Sequence, residues 1–185
     1  MYGGGTIGIM GEIARTLVSL AGPSSVHGII PEPLIRYERN VPAESLRSTG
    51  SAPKDLKIPD EHIFGKTTVV PDMHTRKRMM VEEVVEGGPG SGFIALSGGY
   101  GTLEEIFETV TWNQLGIHKC GMCLLNVAGF YDGIVQWINK SSDEGFIGGA
   151  NRKILAQATD AEGALEALRE YKVSADTYKL EWGEQ

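Results

Sequence analysis

Positive charge is scarce in this chain. The 17 lysines and arginines are outnumbered by 24 acidic residues, for a net charge of -7. A surface of that sign excludes general binding along nucleic-acid backbones, which needs clustered cations. No apolar run approaches the ~20 residues that span a bilayer. No basic, apolar, small-residue leader opens the sequence. These absences predict a cytoplasmic protein with neither a membrane nor a nucleic-acid partner. Cysteine is equally sparse: Cys120 and Cys123 form a lone C-x-x-C, with no second pair to complete a four-cysteine zinc site. A redox C-x-x-C usually opens a helix, whereas the run from Cys123 to Val127 reads as a strand. One loop thiol and one buried small apolar residue is the plainer reading. No H-E-x-x-H or other metal-ligand spacing occurs, and no G-x-S-x-G nucleophile elbow. No metal and no cofactor are expected.

Glycine, by contrast, is abundant, at 25 of 185 residues. It clusters at the ends of apolar runs, as in α/β proteins that bind ligands on their loops. Strands read over Val26 to Ile30, Thr67 to Val70, Phe93 to Leu96, Cys123 to Val127 and Ile154 to Ala158. Helical patterns alternate with them. One carries Met10, Ile13, Ala14 and Leu17 on a face, and a second starts at Asp72 as N-cap. A third follows Gly98 to about Leu115, and a fourth spans Gly133 to Lys140. The last opens with the capping-box pattern of Thr159 to Glu162. This alternation predicts one α/β domain over 1–185, a doubly wound parallel sheet with helices on both faces. Pro31 to Asp60 reads as a surface excursion with one short helical turn, and the tail from Ser174 as peripheral.

Chemistry concentrates in Ser97-Gly98-Gly99-Tyr100-Gly101-Thr102-Leu103-Glu104-Glu105. Strand, glycine loop and helix converge backbone N–H groups on an anion at a helix N-terminus. Gly98, Gly99 and Gly101 permit its close approach, and Glu104 and Glu105 stand within a turn of it. Thr102 to Glu105 is also a T-x-x-E capping box, so Glu105 has a purely structural alternative. In the functional reading, an ionised carboxylate there stabilises positive charge developing on a sugar ring. A second cluster, Met73-His74-Thr75-Arg76-Lys77-Arg78, opens a helix just after a strand. Either it is a solvated face, or Arg76 clamps a phosphate or ribose while Lys77 adds a point charge. Gly4, Gly5 and Thr6 form a second glycine loop, a tight turn or a second anion nest, without GxGxxG spacing. Thr111 either touches ligand or bonds back to its own helix.

Taken together, these segments resemble the LONELY GUY (LOG) family, cytokinin-activating phosphoribohydrolases long labelled lysine decarboxylases. The family signatures P-G-G-x-G-T-x-x-E and M-H-x-R-K stand here as Ser97 to Glu105 and Met73 to Lys77. The Gly3 to Gly8 loop, the run from Thr111 to His118, and Leu124 to Val127 match as well. Arg36 to Lys57 and Gly87 to Gly92 look like the fungal branch. The resemblance implies a Rossmann-like fold and hydrolysis of the N-glycosidic bond of N6-substituted adenosine 5′-monophosphates. The products would be free cytokinin base and ribose 5-phosphate. Arg76 and Glu105 would be the catalytic pair, and Gly99, Tyr100, Gly101 and Thr102 would hold phosphate. Met73, Lys77 and Thr111 would add contacts, and Glu61 matches a family acid near the nucleotide. A homodimer is implied. Ser97 replaces the signature proline, a change expected to alter loop stiffness more than chemistry. The family carries a strand, a helix and a strand before the first glycine loop. This sequence starts at that loop and is expected to be N-terminally shortened. A broader nucleoside-monophosphate hydrolase and a non-catalytic nucleotide-binding protein are the alternatives.

Overall fold

A computed structural model of the chain describes residues 1–38 and 58–180. Most of the Pro31 to Asp60 excursion, with the fungal-like stretch inside it, lies outside the described residues. The chain forms two compact units, Met1–Glu83 and Val84–Gln185. Both are α/β with parallel strands, as the alternation of patterns predicts, and the strands lie in two sheets.

In the first unit, β1 (His27–Pro31) pairs in parallel with β2 (Lys66–Val70). On the other side of β1, Tyr2 makes a parallel bridge to Gly28. Its N–H donates to the His27 carbonyl at 2.9 Å, and its carbonyl accepts from Ile29 N–H at 3.0 Å. The first glycine loop thus leaves the carboxyl end of a strand-like segment and enters α1 (Gly8–Ala21). Sequence periodicity put Met10 and Leu17 on the packed face of α1, but both are exposed. The buried stripe is Gly11, Ala14 and Val18. The reason is a close approach. A Cβ on Gly11 would sit 2.1 Å from the Thr6 carbonyl oxygen, so the helix packs through its small-residue edge. Ala14, Val18 and Val26 then form a core with Tyr2 and Phe64. Two short helices, α2 (Glu32–Glu38) and α3 (Glu61–Phe64), flank β1 and β2 in sequence. After β2, α4 (Met73–Glu86) begins as expected at Asp72, whose carboxylate accepts from Thr75 N–H at 2.8 Å and Thr75 Oγ1 at 2.9 Å. These bonds, the backbone one foremost, hold the Asp72 carboxyl below the usual carboxylate range.

The second unit is wound on both sides. Its strands are β3 (Gly92–Ala95), β4 (Gly121–Leu125) and β5 (Leu155–Ala158), all parallel in that order. Side chains alternate between faces. Phe93, Ala95, Met122, Leu124 and Leu155 face a core closed by α5 (Tyr100–Gln114) and α6 (Asp132–Asp143). Ile94, Cys123, Leu125, Ala156 and Ala158 face α7 (Ala161–Arg169) through Ala164 and Leu168. Met122 and Leu124 are 0% and 1% exposed, each worth about 2 kcal/mol of burial. Cys123 is a core residue of this kind, as its strand position suggests. Burial pushes both thiols up from their ordinary pKa, and both are free.

Two local expectations shift. The N-cap of α7 is Asp160, accepting from Gly163 N–H at 2.8 Å, one residue later than the capping box at Thr159. The N-cap of α5 is Gly99, not Thr102. The polar tail stays on the surface, as expected, and is tied to it: Tyr178 N–H donates to Gln114 O at 2.9 Å, and Ser174 Oγ to Asn151 Oδ1 at 2.7 Å. No helix among the described residues is long and apolar enough to cross a membrane.

Candidate active-site residues

In the first unit, strand order brings two of the candidate segments together. Arg76 sits one turn into α4 and is only 8% exposed. Its Nε donates to the Ile29 carbonyl at 3.1 Å, in the middle of β1. Its Nη1 lies 3.8 Å from Met73 Sδ. The guanidinium packs against the first glycine loop so closely that a Cβ on Gly3 would stand 2.2 Å from Nη2. Arg76 is therefore not part of a solvated face. It is a buried cation fixed by backbone, on the first turn of the helix that follows β2, the side of a parallel sheet where ligands sit. The neighbouring Arg78 is exposed, 3.9 Å from Glu82 one turn on, a contact of little energetic weight.

The same loop lines a cleft of about 180 Å3 with Ile30, Ile35, Pro59, Asp60 and Phe64. Gly4 and Thr6 are the loop residues that reach it. Gly4 needs its missing side chain twice over: φ is +76°, and a Cβ would lie 2.9 Å from Ile30 Cβ. Gly5 is buried beside it. Glu61 is exposed on the first turn of α3. Among the described residues, the acid lining the cleft is its neighbour Asp60, to which no sequence motif points. Asp60 also caps α3, accepting from His62 N–H at 3.0 Å. Met73 is exposed and Lys77 half-buried on α4.

In the second unit, the loop Leu96 to Gly99 joins β3 to α5 at the carboxyl end of the strand. No side chain caps α5; a helix N-terminus without a side-chain cap is open to an anion. Thr102 folds back on the loop, and a Cβ on Gly98 would stand 2.2 Å from its Oγ1. Gly99, Gly101 and Glu104 are exposed, and Tyr100 is 94% exposed. Because α5 starts at Tyr100, Glu105 falls beyond its first turn. The capping box is not formed, and that structural account of Glu105 lapses. Glu105 is half-buried, and its carbonyl accepts from Thr109 Oγ1 at 3.2 Å. Thr111 takes its bland alternative, donating to the Phe107 carbonyl at 2.8 Å.

Two residues of the matching run beyond Thr111 are structural. Asn113 is 0% exposed; it donates to Cys120 O at 3.1 Å and accepts from the Tyr171 hydroxyl at 2.8 Å. His118 is 3% exposed. Its Nδ1 accepts from Cys120 N–H at 3.2 Å, and its Nε2 faces Thr109 O at 2.8 Å. That pairing assigns the neutral Nε2–H tautomer. Burial lowers its pKa, against the Thr109 bond, which raises it. No cluster of metal-binding side chains occurs among the described residues.

Parallel strands with glycine loops leading into helices place the chain in the α/β class, in which ligands sit at the carboxyl ends of the strands. Residues 10–168 match a protein family described as "Possible lysine decarboxylase". The chain is 50% identical to the bifunctional cytokinin biosynthesis protein of Fusarium pseudograminearum, over 98% of its own length and 35% of the relative's. It is 37% identical to cytokinin riboside 5′-monophosphate phosphoribohydrolase LOG7 of Arabidopsis thaliana, over 100% of its length and 73% of that protein's. LOG2 of the same plant is 38% identical over 98% and 73%. The chain belongs to the LONELY GUY (LOG) family.

Proposed function

We propose that this chain hydrolyses the N-glycosidic bond of N6-substituted adenosine 5′-monophosphates, releasing a cytokinin base and ribose 5-phosphate. The reading rests on the names of relatives aligned over nearly the whole chain. The observation that carries it further is the fixation of Arg76 against the Gly3 loop by the Ile29 carbonyl. A cation held by backbone needs no reorganisation when an anionic substrate arrives.

In this reading the uncapped N-terminus of α5, with Gly98 to Thr102, takes the 5′-phosphate. As the base departs, the ribose gains oxocarbenium character. Glu105 stabilises that charge and orients the attacking water. Arg76 clamps the phosphate or ribose with its planar fork. Met73, Lys77, Glu61 and Glu104 border the substrate, and Gly4, Gly5 and Thr6 form its second backbone nest. No metal or cofactor enters the step. The protein acts in the cytoplasm as a homodimer.

The test is incubation of the purified chain with isopentenyladenosine 5′-monophosphate, followed by chromatography. Free base and ribose 5-phosphate in equal amounts support the reading. AMP consumed faster than the prenylated nucleotide redirects it to a general nucleoside-monophosphate hydrolase. Binding without any product redirects it to a non-catalytic nucleotide-binding protein.

A further inference from the structure

Tyr131 belongs to none of the motifs described above, yet its hydroxyl meets the start of the Ser97 to Gly99 loop. It is 1% exposed, packed in the core with Ala95, Ile106, Met122, Leu124 and Ile154. Its hydroxyl donates a short hydrogen bond to the Leu96 carbonyl, the first residue past β3. Burial raises its pKa above the ordinary 10.0, so the hydroxyl stays a donor at neutral pH.

The consequence follows from peptide geometry. In a planar trans peptide, the carbonyl and the following N–H point in opposite directions. Holding the Leu96 carbonyl on a buried phenol fixes the plane from which Ser97, Gly98 and Gly99 depart. Glycines restrain that departure poorly, and the N-cap Gly99 offers no side chain. Gly98 in turn packs directly under Thr102, so a tilt at Leu96 passes into the first turn of α5. The phenol is itself held. Asn126, at the end of β4, accepts from Tyr131 N–H at 2.6 Å and donates to Asp132 Oδ1 at 2.8 Å. Its own N–H donates to Ala158 O at 2.7 Å on β5.

We propose that Tyr131 is a positioning residue for phosphate binding, its hydroxyl fixing through Leu96 O how the Ser97 to Tyr100 backbone meets a phosphate monoester. This rests on the phosphoribohydrolase reading. The variant Tyr131→Phe keeps the ring and deletes the bond. On isopentenyladenosine 5′-monophosphate, KM rises about tenfold while kcat stays within about twofold. Amide hydrogen exchange speeds up at residues 97–102 and stays unchanged in β4 and α7. Adding Ser97→Pro fixes φ at 97, confines Leu96 to extended backbone and restores most of the KM. A folded Tyr131→Phe chain with wild-type KM and exchange overturns the proposal. So does uniformly faster exchange with a KM that Ser97→Pro leaves unrescued. A wild-type chain that releases no base overturns the hydrolase reading alone, and the exchange contrast at 97–102 still decides the role of Tyr131.

Discussion

Replacing Gly3 by alanine tests the importance of the fixed guanidinium without touching its charge. A Cβ at position 3 would stand 2.2 Å from Arg76 Nη2, 3.3 Å from Cζ and 3.4 Å from Met10 Sδ. Ordinary contact begins near 3.4 Å, so the guanidinium must retreat by roughly 1 Å. The tip of a long side chain yields more cheaply than backbone, so the chain still folds. The retreat stretches the 3.1 Å bond from Nε to Ile29 O. A misplacement of about 1 Å in a reacting group costs on the order of a hundredfold, which is about 2.7 kcal/mol of transition-state stabilisation. The assay is steady-state hydrolysis of the prenylated nucleotide, with a thermal melt as the folding control. The expected outcome is a kcat/KM down about a hundredfold and a Tm within a few degrees of wild type. A folded Gly3→Ala chain with kcat/KM within threefold of wild type refutes the argument that Arg76 works by being held still.

Other outcomes follow from the same geometry. His118 has its folded pKa lowered below 6.5 by burial. The unfolded chain therefore binds the proton first, and stability falls as pH drops below about 6.5. Denaturant melts between pH 8 and 5 should show that slope, and His118→Gln, although less stable, should flatten it. Gly133→Ala on α6 meets nothing within 4 Å. It should leave activity unchanged and gain up to about 1 kcal/mol from helix propensity, read as a higher Tm. Gly11→Ala would drive a Cβ against the Thr6 backbone at 2.1 Å. Overpacking against backbone should cost about 1–3 kcal/mol, read as a loss in denaturant midpoint.

Periodicity and turn chemistry made the elements legible. Each described strand falls within a residue or two of its expected span, because Val, Ile and Leu runs bounded by glycine leave few alternatives. Faces of helices were less legible. The buried stripe of α1 runs through Gly11 because a backbone approach, invisible to hydropathy, decides its packing. Caps lie one to three residues from their expected positions where a glycine or a stronger acceptor takes the place, as at Gly99 and Asp160. The candidate site was legible where a motif carried it. Arg76 and the Gly3 loop lie far apart in sequence, and parallel pairing of Tyr2, β1 and β2 unites them. Asp60 and Tyr131 were not legible. An aspartate before a short helix reads as a cap, and a tyrosine in an apolar run reads as core. Only the fold shows the cleft beside one and the Leu96 carbonyl above the other.

The proposed hydrolysis requires Arg76 and Glu105 to serve one reaction on one nucleotide. Its most direct measurement is base release from isopentenyladenosine 5′-monophosphate by wild type, Arg76→Ala, Glu105→Ala and the double variant, each verified as folded. Each single change should lower kcat/KM by at least a hundredfold. The double variant should be hardly worse than either single one, as for residues acting as a unit. Base release at the wild-type rate by folded Arg76→Ala or Glu105→Ala would contradict it.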